Sequence, residues 1–214
     1  MAPYYQTAKS FADVSITEEG IDTDSFLNAS DDFVNMFDLL GKGVFGFVQT
    51  DLRNNIAGVR ERYNTAASTS TTLENLVKAE AHEHDRHGTA CLVRLIRGLL
   101  FTCQALQNMQ TDRASELHVC FKRSYDTHLK HHHTFIIRSV VSRVPGTNQT
   151  LFPVISDFQV AIRAVPHRHD FYNRITQGSP HEYFDEELAK WLVGLQNIVQ
   201  RMKTFLEQGG YGKV

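Results

Sequence analysis

The run 89–106, the most apolar long stretch of the chain, sets the terms on which it can fold. It contains no proline and one internal glycine, Gly98. Leu92, Leu95, Ile96, Leu99, Cys103 and Leu106 recur at three- and four-residue steps, which makes one face of a helix continuously apolar. Two arginines, Arg94 and Arg97, interrupt the run, so the expectation is a core helix too polar for a membrane span. Everything else must pack around that helix.

The chain has 214 residues, enough for one domain with a sizeable core. A net charge of -2 gives no global argument for a nucleic-acid partner. Three cysteines, Cys91, Cys103 and Cys120, are an odd number without a C-x-x-C pair. They read as buried free thiols and not as a disulfide framework or zinc knuckle. The beginning Met-Ala-Pro-Tyr-Tyr-Gln lacks a charged segment followed by an apolar one, so the expected location is the cytosol.

Residues 1–23 read as a polar N-terminal extension, and 24–214 as the domain proper. Asp24 or Ser25 is expected to cap a helix that starts at Phe26 and ends at Gly41 and Gly43. Apolar steps at Val44, Phe45, Val48, Leu52, Ile56 and Val59 predict a second helix over 44–63. Asp51 and Asn55 share one of its faces. The pattern alone favours a solvated polar face there, with a jointly bound ligand group as the alternative. Thr72 opens a helix to Ala81, and Ser115 is expected to cap another. Further helices are predicted at 169–175 and 183–206. No alternating strand pattern occurs, so the fold class is all-α with about eight helices.

Catalytic signatures are missing: there is no G-x-S-x-G, no H-E-x-x-H and no complete phosphate loop around Gly41-Lys42-Gly43. The histidines His82, His84 and His87 are not spaced as metal ligands, and a solvated turn is expected there. The reading is therefore not an enzyme, with no metal and no cofactor.

Four pieces taken together resemble the glycolipid transfer protein family, and most closely its fungal heterokaryon-incompatibility C type. They are Val48-Gln49-Thr50-Asp51-Leu52-Arg53-Asn54-Asn55-Ile56, Leu95-Ile96-Arg97-Gly98-Leu99, His132-His133-Thr134-Phe135-Ile136 and Pro166-His167-Arg168-His169-Asp170-Phe171. The resemblance implies a two-layer helical sandwich enclosing a hydrophobic lipid pocket, and sphingolipid transfer between membranes without hydrolysis. It implies that Asp51 accepts from the sphingolipid amide and a head-group hydroxyl, that Asn55 binds the head group, and that His133 donates to the amide oxygen. An amide buried among apolar chains must be satisfied on both its donor and acceptor sides. Phe135 stands where the family often carries a membrane-inserting tryptophan. Leu92, Leu95, Ile96 and Leu99 become candidate walls of the pocket, and Arg97 reads as a structural residue. Tyr211 and Val214 resemble a C-terminal Tyr-Lys-Val that closes on the site, with Gly212 intervening.

The departures from the family pattern concern the head group. Glycolipid binders carry a sugar-stacking tryptophan four residues before the glycine of Arg-Gly-Leu, and here that position is Arg94. They also carry a lysine three residues after the asparagine, where this chain has Gly58. An arginine fork suits a phosphate better than a sugar face. The ceramide-1-phosphate branch has arginine at this position and a second one a turn earlier, which here is Ala90. Arg60 lies out of register, and Arg53 is the candidate for the missing charge. The implied ligand is ceramide-1-phosphate before a glycosphingolipid. The implied partners are that lipid and a transiently touched membrane surface, with no nucleic acid, and the protein is expected to act as a monomer. A lipid sensor or scaffold without significant transport is the alternative.

The segment 143–159 breaks the helical period with Pro145-Gly146 and Pro153. Joining Ser142 to Val160 restores it, so this atypical insertion is expected to be a retained intron. Sequencing the mature transcript tests this: a message that keeps the segment refutes it.

Overall fold

The computed structural model describes residues 4–40, 45–130 and 160–214. Among the described residues every regular element is helical, and the only other pairings are two isolated bridges, Ile16 with Ile21 and Asp22 with Thr72. In chain order the α-helices are α1 (Tyr4–Thr7), α2 (Thr23–Met36), α3 (Gly46–Thr65) and α4 (Leu73–Glu80). Then come α5 (His87–Thr111), α6 (Leu117–His128), α7 (Arg168–Thr176) and α8 (His181–Gln208). A short helical turn at 160–163 precedes α7. His133, Phe135 and the segment 143–159 lie outside the described residues.

The apolar run forms α5, which touches α3, α4, α6 and α8. By length and composition this helix would suit a membrane span, with a mean hydropathy of 1.4 in its most apolar window, so polarity does not exclude one as expected. What marks it as a core helix is its burial, since 78% of that window is packed inside the protein. All three cysteines are buried free thiols, and burial pushes the Cys103 thiol up to about 12.

Helices α3 and α5 run antiparallel at close range because small residues line their seam. A Cβ on Gly98 would stand 2.8 Å from Leu52 Cδ2, and one on Gly88 2.8 Å from Arg62 Cβ. Between them Gly58 faces Cys91.

Charge holds α5 at both ends. The carboxylate of Glu80, only 3% exposed, accepts from the Gly88 and Thr89 backbone N–H at 3.0 and 2.5 Å. These are orphan donors of the first turn, where the helix dipole favours a negative charge. Arg62 lies 3.7 Å from Glu80 and grips Glu83 with both guanidinium nitrogens at 2.9 and 2.7 Å. At the other end the Arg168 guanidinium donates to the carbonyls of Met109 (2.7 Å), Asp112 (2.8 Å) and Ser115 (2.6 Å). A second clasp joins the N-terminal segment to α4 and α8, where buried Glu74 accepts from Ile21 N at 2.8 Å and Arg201 Nε at 2.6 Å. Gly20, at φ 147, lets the chain pass so close to Glu74 that a Cβ there would overlap the carboxylate.

Helix starts differ from the sequence expectation by a few residues. Asp22, not Asp24 or Ser25, caps α2 by accepting from Ser25 N at 2.8 Å. Ser115 does not cap α6, whose N-cap is Glu116. The Asp112 carboxylate accepts from both the backbone N–H and the hydroxyl of Ser115, at 3.1 and 2.7 Å, and so holds Ser115 in the preceding turn.

Replacing Arg168 by Ala leaves the Met109 and Asp112 carbonyls at the end of α5, and that of Ser115 in the following turn, without their charged donor. Each such bond contributes up to about 3 kcal/mol, and the total loss is expected at about 2–4 kcal/mol. Urea denaturation checks this, and an unchanged midpoint would show that the clamp contributes nothing.

Candidate functional site

The seam between α3 and α5 carries three of the four predicted head-group residues, Asp51, Asn55 and Arg94, the fourth, His133, lying outside the described residues. Asn55 is 3% exposed, so the solvated reading of its face does not hold. Its side-chain nitrogen donates to the Asp51 backbone carbonyl at 2.9 Å and to Asp51 Oδ2 at 3.2 Å. The Asp51 carboxylate, half-buried, is thereby oriented from one side. Across the seam Arg94 is also half-buried, one turn before Gly98.

The register of the seam, with Gly98 against Leu52 and Gly58 against Cys91, places these groups in one neighbourhood. Burial lowers the Arg97 guanidinium, the adjacent Arg94 charge lowers it further, and Asp51 opposes both. Burial raises the Cys91 thiol, Arg94 pulls it down, and Glu80, Asp51 and Glu61 push it up. The cluster therefore holds two guanidinium groups near one carboxylate, a surrounding suited to an anion or to a ligand with both donors and acceptors.

Sequence reasoning sought the second cation at Arg53, and the structure does not put it there. Arg53 is exposed and faces α2, with its guanidinium 3.5 Å from Asn35 Oδ1. Arg60 is paired with Asp31 at 2.6 Å. The cation beside Arg94 is Arg97, which sequence reasoning left as a structural residue. It is that as well, because it donates to the Lys213 carbonyl and so holds the C-terminal tail.

The tail closes against α5 close to Arg94. Tyr211 stacks on Phe205 with ring centroids 5.4 Å apart. Gly212 packs on Val93, where a Cβ would stand 2.8 Å from Cγ2, so the extra glycine is what lets the tail lie this close. Val214 is buried, and its N–H donates to Glu207 Oε1 at 3.2 Å.

The four candidate pocket residues, Leu92, Leu95, Ile96 and Leu99, are fully buried in the core between the helices. Among the described residues no three His, Cys, Asp or Glu side chains gather as a metal ion would require.

An all-helical fold with a polar cluster on a helix seam beside one continuous apolar core is the architecture of a lipid-carrier class of protein. The glycolipid transfer protein family matches this chain over residues 21–147. A glycolipid transfer protein of Aureobasidium melanogenum is 34% identical over 204 residues, covering 95% of this chain and 92% of that protein. Among solved structures, the fungal glycolipid transfer protein HET-C2 superposes with a TM-score of 0.83 at 35% identity, covering 95% of this chain and 96% of that one. The structure that describes how FAPP2 selects simple glycosphingolipids using the same fold matches with a TM-score of 0.81 at 25% identity, covering 99% and 98%. The chain belongs to the glycolipid transfer protein family, whose members transfer lipids and are not enzymes.

Gly58 is the position that sequence comparison alone could not explain. A Cβ there would overlap the Cys91 sulfur and stand 3.1 Å from His87 Nε2, which itself lies 3.5 Å from Cys91 Sγ. A lysine at 58 has no room while Cys91 stands opposite. Gly58→Lys gains helix propensity of less than about 1 kcal/mol, while overpacking costs about 1–3 kcal/mol, so the variant is expected to be destabilised. Cys91→Gly in the same chain should recover part of the loss. A double-mutant cycle by urea denaturation checks this, and strictly additive effects would contradict the contact.

Proposed function

We propose that this protein binds one sphingolipid at the α3–α5 seam and carries it between membranes, acting as a cytosolic monomer that touches membrane surfaces transiently. The lipid chains enter the core beside Leu92, Leu95, Ile96 and Leu99. Asp51 accepts from the lipid amide N–H and a hydroxyl, Asn55 holds Asp51 and faces the head group, and His133 donates to the amide oxygen. Phe135 meets the membrane.

The head group we assign is a phosphate, which makes ceramide-1-phosphate the ligand. The observation that carries this is the placement of Arg94, half-buried on α5 at the seam with α3 and three residues before the buried Arg97 on the same helix. Two like charges in a poorly solvated place repel, and a bound phosphate offsets that repulsion while accepting charge-assisted hydrogen bonds. A glycosphingolipid is the second reading, favoured by likeness to the fungal glycolipid transfer proteins.

Vesicle-to-vesicle transfer of ceramide-1-phosphate and glucosylceramide distinguishes them. Arg94→Ala is expected to slow ceramide-1-phosphate transfer roughly tenfold or more, the size expected for losing a charged hydrogen bond. Equal transfer by that variant would refute the assignment. Asp51→Val should abolish transfer of both lipids, and undiminished transfer would remove the whole site.

A further inference from the structure

The N-terminal segment crosses the bundle and leaves a cavity of about 160 Å³ beneath it. Tyr5 and Ala8 roof the cavity, Met36, Ile175 and Leu188 form its apolar floor, and Trp191 stands at its side. Ser10, Asp13, Glu187 and Lys190 line its polar, outer part. The floor residues are buried members of the main core, so the cavity borders that core directly. The roof is pinned to α8, where Tyr5 packs on Tyr183 and Phe184 with ring centroids 5.6 and 5.7 Å apart, and to α2 at Asp32. Tyr4 donates its hydroxyl to the Asp32 carbonyl, and Lys9 N donates to Asp32 Oδ2 at 2.8 Å.

The position of the cavity along the helices gives it a meaning. Gln196 accepts from Cys103 and Gln107, and Asp185 from Gln110 and Arg113, so 185–196 of α8 runs beside 103–113 of α5. Trp191 therefore stands roughly 20 Å beyond Arg94 along α5, at 1.5 Å of rise per residue. One lipid chain of ordinary length reaches about 15 Å, half the hydrocarbon thickness of a bilayer. An ordinary chain stops short of the cavity, and a very long one arrives there. An apolar cavity of about 150 Å³ accepts a benzene molecule, so the space over this apolar floor admits the last few carbons of a chain.

We infer that the cavity beneath the N-terminal segment receives the terminal methyl end of a very long acyl chain on the bound lipid. The inference rests on the sphingolipid reading above and adds the chain class that the lipid carries. Met36, whose unbranched side chain adapts easily, and Leu188 are the floor residues that move to admit the chain. Selectivity follows from size: each methylene that leaves water for the cavity tightens binding roughly fourfold, until the space is full.

Trp191 is the only tryptophan in the chain, so its fluorescence reports this cavity alone. The test loads the full-length protein with ceramide-1-phosphate, and separately with glucosylceramide, whose very long acyl chain carries bromine at its methyl end. Control lipids carry bromine near the carbonyl, or at the end of a short chain. Native mass spectrometry of the same samples counts bound lipid. The expected result is one lipid bound in each case, with Trp191 quenched by the terminally brominated long chain and by neither control. Ala8→Phe, which fills the roof, should lose that quenching and shift uptake several-fold from long chains toward short. Bound lipid without terminal quenching, or equal quenching by all three lipids, overturns the inference while leaving the sphingolipid reading intact. Absence of any bound lipid overturns the reading beneath it and the inference together.

Discussion

The structure depends on how α5 is held. A helix this apolar gains most of its stability from burial, but burial also strips water from its terminal N–H and C=O groups. Glu80 supplies the acceptors at the N-terminus and Arg168 the donors at the C-terminus, each with the sign that the helix dipole prefers. Arg97 fixes the middle by tying the tail to it. With α5 fixed along its length, the helices that pack on it acquire a register. The glycine-rich seam with α3 then becomes close enough to bring Asp51, Asn55 and Arg94 into one neighbourhood.

The same clamps explain why a polar cluster can sit beside an apolar core. Asn55 is buried, and its side-chain nitrogen donates to both the backbone carbonyl and the carboxylate of Asp51 on its own helix, which orients the pair from within α3. The Cys91–Gly58 contact fills the seam on one side of this pair, and the tail covers α5 at Val93 on the other. The site is thus bounded by packing and has a defined shape before any ligand is considered. Small residues supply that shape: Gly58, Gly98 and Gly212 each stand where a side chain would push two elements apart.

Much of this was legible in the sequence, and the parts that were not share a cause. The period of Leu92, Leu95, Ile96 and Leu99 is local and sufficient to predict α5 and its buried face. Helix starts were misplaced where several residues of capping type stand together, as with Asp22, Asp24 and Ser25, because only the fold decides which side chain reaches the free N–H. The roles of Glu80 and Arg168 were invisible, since their partners lie on other elements and no spacing encodes them. Arg97 was read as purely structural because only the folded seam sets it beside Arg94. Family resemblance supplied Asp51, Asn55 and Arg94. The fold then showed Asn55 buried where periodicity alone favoured a solvated residue.

The central claim is that the α3–α5 seam binds a single sphingolipid. It is tested most directly by native mass spectrometry of the purified protein mixed with ceramide-1-phosphate, glucosylceramide and a diacyl phosphatidylcholine in equal amounts. The account predicts a complex of one lipid per protein with a sphingolipid, and none with phosphatidylcholine, which lacks the amide N–H that Asp51 accepts. Binding of phosphatidylcholine as readily as of either sphingolipid would contradict it.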